Sequence, residues 1–174
     1  MKRGSVFLLA FLIVSLSLIL IHPVFAAYIF EDGFESGDLN AWTGINGSPT
    51  VESTDPYQGT YHANFSTSGS GSCNVFKDIA EQTTCYMRVY AKVKTPYIGY
   101  AFCKLDGSSD TISEIYLSSS SDKYYLRLTW INGANDETQT GSTEITTDQW
   151  YCIELYTKIH ASTGEHILYL DGNM

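Results

Sequence analysis

Apolar and polar side chains alternate strictly along Cys85–Val93 (CYMRVYAKV). Cys85, Met87, Val89, Ala91 and Val93 fall on one side of an extended chain, and Tyr86, Arg88, Tyr90 and Lys92 on the other. A period of two marks a half-buried β-strand, so this segment predicts a dry face and a wet, aromatic one. Further strands are predicted at Tyr61–Ser66, Cys73–Ile79, Ile98–Leu105, Ile112–Leu117, Tyr124–Ile131, Trp150–Ile159 and His166–Leu170. Turn chemistry separates them at Thr95-Pro96, Asp106-Gly107-Ser108-Ser109, Ser118–Asp122, Asn132-Gly133 and Ser162-Thr163-Gly164. The polar stretch Asn132–Asp148 reads as loop rather than strand. Short strands at regular spacing, with no internal repeat and no long helical period beyond the first residues, predict an all-β sandwich of two antiparallel sheets.

The N-terminus follows another pattern. Lys2 and Arg3 precede the apolar run Val6–Ile21, then Pro23, with small residues at Val24 and Ala26. This is the layout of a secretory signal peptide over 1–26, cleaved after Ala26. An uncleaved anchor is the alternative, although the run is shorter than the roughly 20 residues that span a bilayer. In either case the segment 27–174 is expected outside the cell, secreted or at its surface, as one domain large enough for a core of its own. Loss of Lys2 and Arg3 leaves eight basic residues against nineteen acidic ones. Such an excess disfavours nucleic acid and anionic lipid as partners and leaves cations and neutral molecules such as sugars. A membrane would be met only through an uncleaved signal segment.

Cys73, Cys85, Cys103 and Cys152 match no zinc spacing, and in an oxidising compartment they suggest one or two disulfides. The favoured pairing joins Cys73 to Cys85, around a hairpin turn near Glu81 and Gln82, and Cys103 to Cys152. Buried free thiols are the alternative.

Four segments in order carry a resemblance: FEDGFESGDLNAW (Phe30–Trp42), GTYHANF (Gly59–Phe65), CYMRVYAKV (Cys85–Val93) and WYCIELYTKIHASTGEHILYLDG (Trp150–Gly172). Together they resemble the concanavalin A-like (LamG-like) jelly roll, a group of secreted sandwiches that includes lectin domains, carbohydrate-binding modules, glucanases and polysaccharide lyases. The resemblance implies an antiparallel jelly roll and a carbohydrate ligand. In such jelly rolls one or two strands usually follow a closing segment like Tyr169–Met174, so the domain is expected to lack its last strands.

The acidic opening has two readings. Asp32, Glu35 and Asp38, with Gly33 and Gly37, could gather oxygens around a structural Ca²⁺, as the resembled family often does. Alternatively Asp38 caps a turn over Leu39–Trp42, Gly37 supplies a positive φ, and Phe34 and Trp42 pin the segment.

Candidate ligand-binding residues lie on the wet faces. Tyr86, Arg88, Tyr90 and Lys92 alternate with core residues. Tyr125 and Arg127 do so around Leu126 and Leu128, and Tyr100, Phe102 and Lys104 form a similar row. In Trp150–Ile159 the set Tyr151, Ile153, Leu155 and Thr157 is the better core face, which leaves Glu154 and Tyr156 outward. Aromatic rings beside charged groups suit sugars, since ring faces cover the C–H side of a pyranose while charged ends bond hydroxyls or carboxylates. Tyrosine is also an ordinary strand former, and cross-strand rings stabilise sheets without a ligand. If all these residues shared one face, Arg88, Lys92, Lys104 and Arg127 would form a basic surface for acidic glycans.

The E-x-D-x-x-E strand of laminarinase-type members is missing, as is the Gln-x-His strand of the alginate-lyase type. Glu114 and Glu154 each stand alone. A non-catalytic module is therefore expected. The rival readings are a lyase or hydrolase whose catalytic strands lie elsewhere, and an adhesive domain without sugar. His62, His160 and His166 lie in no nucleophile motif and read as surface or loop residues. Asn46 and Asn64 begin Asn-x-Ser sequons.

Overall fold

The computed structural model describes residues 28–67, 71–108, 110–132, 135–160 and 162–174. The expected signal peptide lies outside them. The chain divides into two units, Met1–Asp32 and Gly33–Met174. Among the described residues no helix is long and apolar enough to cross a membrane.

Eleven strands lie within the described residues of the second unit. Four are short: β1 (Gly44–Asn46), β2 (Thr50–Glu52), β3 (His62–Asn64) and β4 (Asn74–Phe76). Seven are longer: β5 (Thr84–Lys92), β6 (Ala101–Asp106), β7 (Thr111–Ser120), β8 (Lys123–Asn132), β9 (Asn135–Ile145), β10 (Trp150–Lys158) and β11 (Glu165–Leu170). Two antiparallel sheets dominate, β11-β10-β5 and β6-β7-β8-β9, while β1 pairs with β4 and β2 with β3.

The two-residue period decides what lies between the large sheets. Ile115 and Leu117 of β7, Leu126 and Leu128 of β8, Ile145 of β9, and Tyr151, Ile153 and Leu155 of β10 form one buried cluster. Met87, Val89 and Ala91 of β5 pack against it with Leu168 and Leu170 of β11. The dry faces expected for β5 and β10 are those observed. Polar side chains in this layer satisfy one another. Ser113 and Thr157, both fully buried, share a hydrogen bond of 3.1 Å from one sheet to the other. Thr157 also lies 3.3 Å from His166 Nδ1, whose ring stacks on Trp130 at 5.6 Å. His166 is thus a partly buried histidine on the inner side of β11, not the loop residue that its neighbouring turn suggested. Burial holds its pKa below the ordinary value.

Two tight turns share one backbone conformation. Ser121 and Asp122, between β7 and β8, both have positive φ, and so do Asp171 and Gly172. Consecutive positive φ values are the requirement of a type I′ turn. The second turn is closed by reciprocal bonds between Leu170 and Asn173.

Three expectations are corrected. The stretch expected to be loop, Asn132–Asp148, contains β9, which pairs along β8 from Asn132↔Asn135 to Tyr124↔Ile145. As an edge strand with little to bury before Ile145, it has no apolar alternation to reveal it. In β6 a register shift between Ala101 and Cys103 breaks the alternation, so Phe102 and Cys103 both pack against the core and Phe102 leaves the wet row. All four cysteines are free thiols, so neither Cys73–Cys85 nor Cys103–Cys152 is bonded. Cys85 is buried on the dry side of β5, where it behaves as a small apolar residue.

Truncation of Leu155 to alanine would leave a void where both sheets meet. The expected loss of unfolding free energy is about 2–5 kcal/mol, read from urea denaturation. Burial, and then the nearby Cys85 thiol, push Cys103 up to about 12, while burial raises Cys85. Since thiolate is the reactive form, iodoacetamide at pH 8 should modify Cys85 and Cys103 only after unfolding, as peptide mass spectrometry would show.

Candidate functional site

The outer side of β11-β10-β5 gathers aromatic and charged groups row by row. Antiparallel pairing sets Tyr86 beside Tyr156, Arg88 beside Glu154, Tyr90 beside Cys152 and Lys92 beside Trp150. On the other flank of β10, Tyr169 lies beside Glu154 and Ile167 beside Tyr156. Directly opposite side chains in such a pair stand about 4.5–5.5 Å apart at Cβ, close enough to interact.

Glu154 is the electrostatic centre. Its Oε1 accepts from Arg88 Nε at 2.8 Å and from the Tyr86 hydroxyl at 2.9 Å, with Arg88 Nη2 2.6 Å away. Arg88 and Tyr86 cover the carboxylate so well that the Glu154 side chain is 10% exposed, whereas that of Arg88 is 51% exposed. The hydrogen bond from Arg88 is the main reason the Glu154 carboxyl stays below its ordinary pKa of 4.5; partial desolvation opposes this and the Tyr86 bond assists. Reciprocally, Glu154 raises Arg88 further above its already high value. Glu154 Oε2 meets no donor among the described residues.

A loop from elsewhere in the chain completes the face. Between β2 and β3, Tyr57 lays its ring on that of Tyr90, with centroids 4.1 Å apart and planes 13° from parallel. Tyr57 also meets Trp150 edge-on at 5.9 Å, and His62 meets Trp150 from another direction at 6.1 Å. Lys92 lies over the Trp150 ring, 4.9 Å from its centroid, and is ion-paired with Asp55 of the same loop. The Lys92 side chain is only 5% exposed. Tyr57 and Tyr90 remain open to solvent at 50% and 40%.

The loop is held from behind by the acidic opening segment. The Glu35 carboxylate accepts from the backbone N–H of Thr60 and Tyr61 at 2.9–3.0 Å, and these bonds keep its pKa low. Gly59 has φ +76, a conformation that strains most side chains, and a Cβ there would push on the Glu35 carboxylate that holds Thr60 and Tyr61. Asp38 accepts from the Asn40 N–H at 3.0 Å and from its side-chain amide at 2.8 Å. Gly37 has a positive φ, and Phe34 stacks on Trp42 at 6.1 Å. Of the proposed calcium trio, Asp32 falls in the first unit, while Glu35 and Asp38 direct their oxygens to N–H donors. Among the described residues no group of three His, Cys, Asp or Glu is arranged to hold a metal ion.

The sequence-predicted ligand residues divide between two surfaces. Tyr86, Arg88, Tyr90, Glu154 and Tyr156 come together on the outer side of β11-β10-β5. Tyr125 and Arg127 lie on the outer side of β8, in the opposite sheet. There the Arg127 guanidinium lies 5.9 Å from the Tyr116 ring and Nη2 donates to Thr138. Tyr100 precedes β6, stacked on Tyr97 at 4.5 Å and bonded to Thr67. Arg88 and Arg127 therefore point away from each other across the core, and one continuous basic surface does not form. Lys104 pairs with Asp106 at 3.0 Å on that second sheet. Tyr57, Asp55 and Trp150 belong to the first surface but were not among the predicted residues.

No protein-family model, curated protein or solved structure matches this chain.

Because Glu154 has a lowered pKa, its ion pair adds stability in full above about pH 4.5, and that stability is lost as pH falls through the folded-state value. Glu154→Gln should therefore flatten the fall in melting temperature between pH 5 and pH 3, measured by calorimetry against the parent protein.

Proposed function

We propose that this chain is an exported, non-catalytic carbohydrate-binding sandwich of the concanavalin A-like (LamG-like) jelly-roll type. The observation that carries the reading is the open platform of Tyr57 stacked on Tyr90, with Trp150 on one flank and the Arg88–Glu154–Tyr86 cluster on the other. A sugar ring has an apolar C–H side and a hydroxyl edge, and this surface offers complements to both. Broad tyrosine rings cover apolar area at little conformational cost, while the neighbouring carboxylate and phenols exchange hydrogen bonds with hydroxyls.

The arrangement of strands favours the same reading of the fold. From β6 to β9 the chain forms one antiparallel sheet by successive neighbours, and β5, β10 and β11 make the facing one. The chain therefore passes between layers after β5 and again after β9, as any two-layered sandwich, the jelly roll among them, requires. The apolar leader Val6–Ile21 supports export. An open face, with its aromatic side chains on a sheet rather than in a cleft, suits retention of a polymer.

Retention of the 27–174 protein on immobilised polysaccharides, with parallel assays for released reducing sugar and unsaturated uronate, tests this reading. Binding without turnover is the expected result; turnover would assign an enzyme, and neither would leave an adhesive scaffold. Tyr57→Ala, which removes the loop half of the stack, should weaken binding at least tenfold, equivalent to about 1.4 kcal/mol, with an unchanged far-ultraviolet circular dichroism spectrum.

A further inference from the structure

The charges on this face indicate which sugars it would take. Resting on the carbohydrate reading above, we propose that the β11-β10-β5 surface selects neutral glycans and rejects uronate-containing or sulfated ones. The two cations nearest the Tyr57–Tyr90 stack each already have a carboxylate, while Lys158, at the far end of the outward side of β10, has none among the described ion pairs. Arg88 directs both Nε and Nη2 to Glu154. Lys92 is almost wholly covered, tied to Asp55 and enclosed against Trp150. Arg88 cannot turn fully to an incoming anion without abandoning the largely buried Glu154, and an uncompensated charge left behind opposes the exchange, while Lys92 is itself too covered to meet one.

Besides the N–H groups that Arg88 keeps on Nη1, the cluster offers an acceptor. All the donors that reach Glu154 converge on Oε1. Oε2, an acceptor carrying part of a negative charge, is left for a ligand. A hydroxyl can donate to it, but a carboxylate or sulfate can only be repelled. Tyr57 and Tyr90 supply stacking area indifferent to charge. The chain's formal charge of −9 adds a long-range field of the same sign. The guanidinium with no carboxylate partner among the described ion pairs, Arg127, stands on the opposite sheet and cannot serve this face.

The test is a glycan array pairing neutral hexose oligosaccharides with uronate-containing and sulfated oligosaccharides of equal length, probed at low and at physiological salt. Neutral members should be retained at least tenfold better at low salt, with a smaller gap at higher salt, because added ions screen repulsion. Glu154→Gln should narrow the gap further. The salt comparison on the unaltered protein decides the matter even if that variant folds poorly. Acidic members bound as well as or better than neutral ones, and released by salt, would overturn the selectivity while leaving a carbohydrate site. Retention of no member would overturn the carbohydrate reading itself, and this inference with it.

Discussion

The contact between β10 and the sheet that faces it is the constraint on which the rest depends. Ile153 and Leu155 are fully buried against Ile115, Leu117, Leu126 and Leu128. Since a pleated strand sends alternate side chains to opposite faces, committing these residues to the interior forces Trp150, Cys152, Glu154 and Tyr156 outward. The same applies to Tyr86, Arg88 and Tyr90 on β5, which β10 holds in register. The chemistry of the outer face is therefore a by-product of the core. A slip of one residue would exchange the two sets and bury Glu154 among leucines.

Sequence reasoning recovered those parts of the fold where one face is dry and the other wet. β5, β7, β8 and β10 all bury one side of an alternating pattern, so their positions could be read directly. β9 could not, because an edge strand of threonines, glutamates and asparagine obtains its order from backbone pairing with β8 rather than from burial. β1 and β2, of three residues each, are too short for any period to show. Phe102 was misplaced for a different reason: a bulge adds a residue to one strand only, and the pattern of side chains does not show where the partner skips.

The site was legible to the same extent and with the same gaps. Alternation tells whether a side chain points toward or away from its own sheet's dry face, and Tyr86, Arg88, Tyr90, Glu154 and Tyr156 follow it. It does not tell which of two sheets the strand joins. Arg127 and Tyr125 consequently share the outward sense of Arg88 but not its surface. Tyr57 was invisible, because loop residues have no period and its stacking on Tyr90 depends on a fold of the chain between β2 and β3. The Asp55-Pro56-Tyr57 sequence beside Gly59 offers turn chemistry but no indication of what it would touch.

The grip of Glu35 on Thr60 and Tyr61 places the rest position of that loop under the control of a residue twenty-two places before Tyr57 in the chain. A recognition loop already fixed before its ligand arrives does not lose that freedom on binding, so more of the contact energy remains as affinity. In this protein the acidic opening segment, well before the stacked rings in sequence, acts as their brace. Natural variation at Glu35 or Gly59 would thus alter how firmly the Tyr57–Tyr90 stack is held without touching either ring.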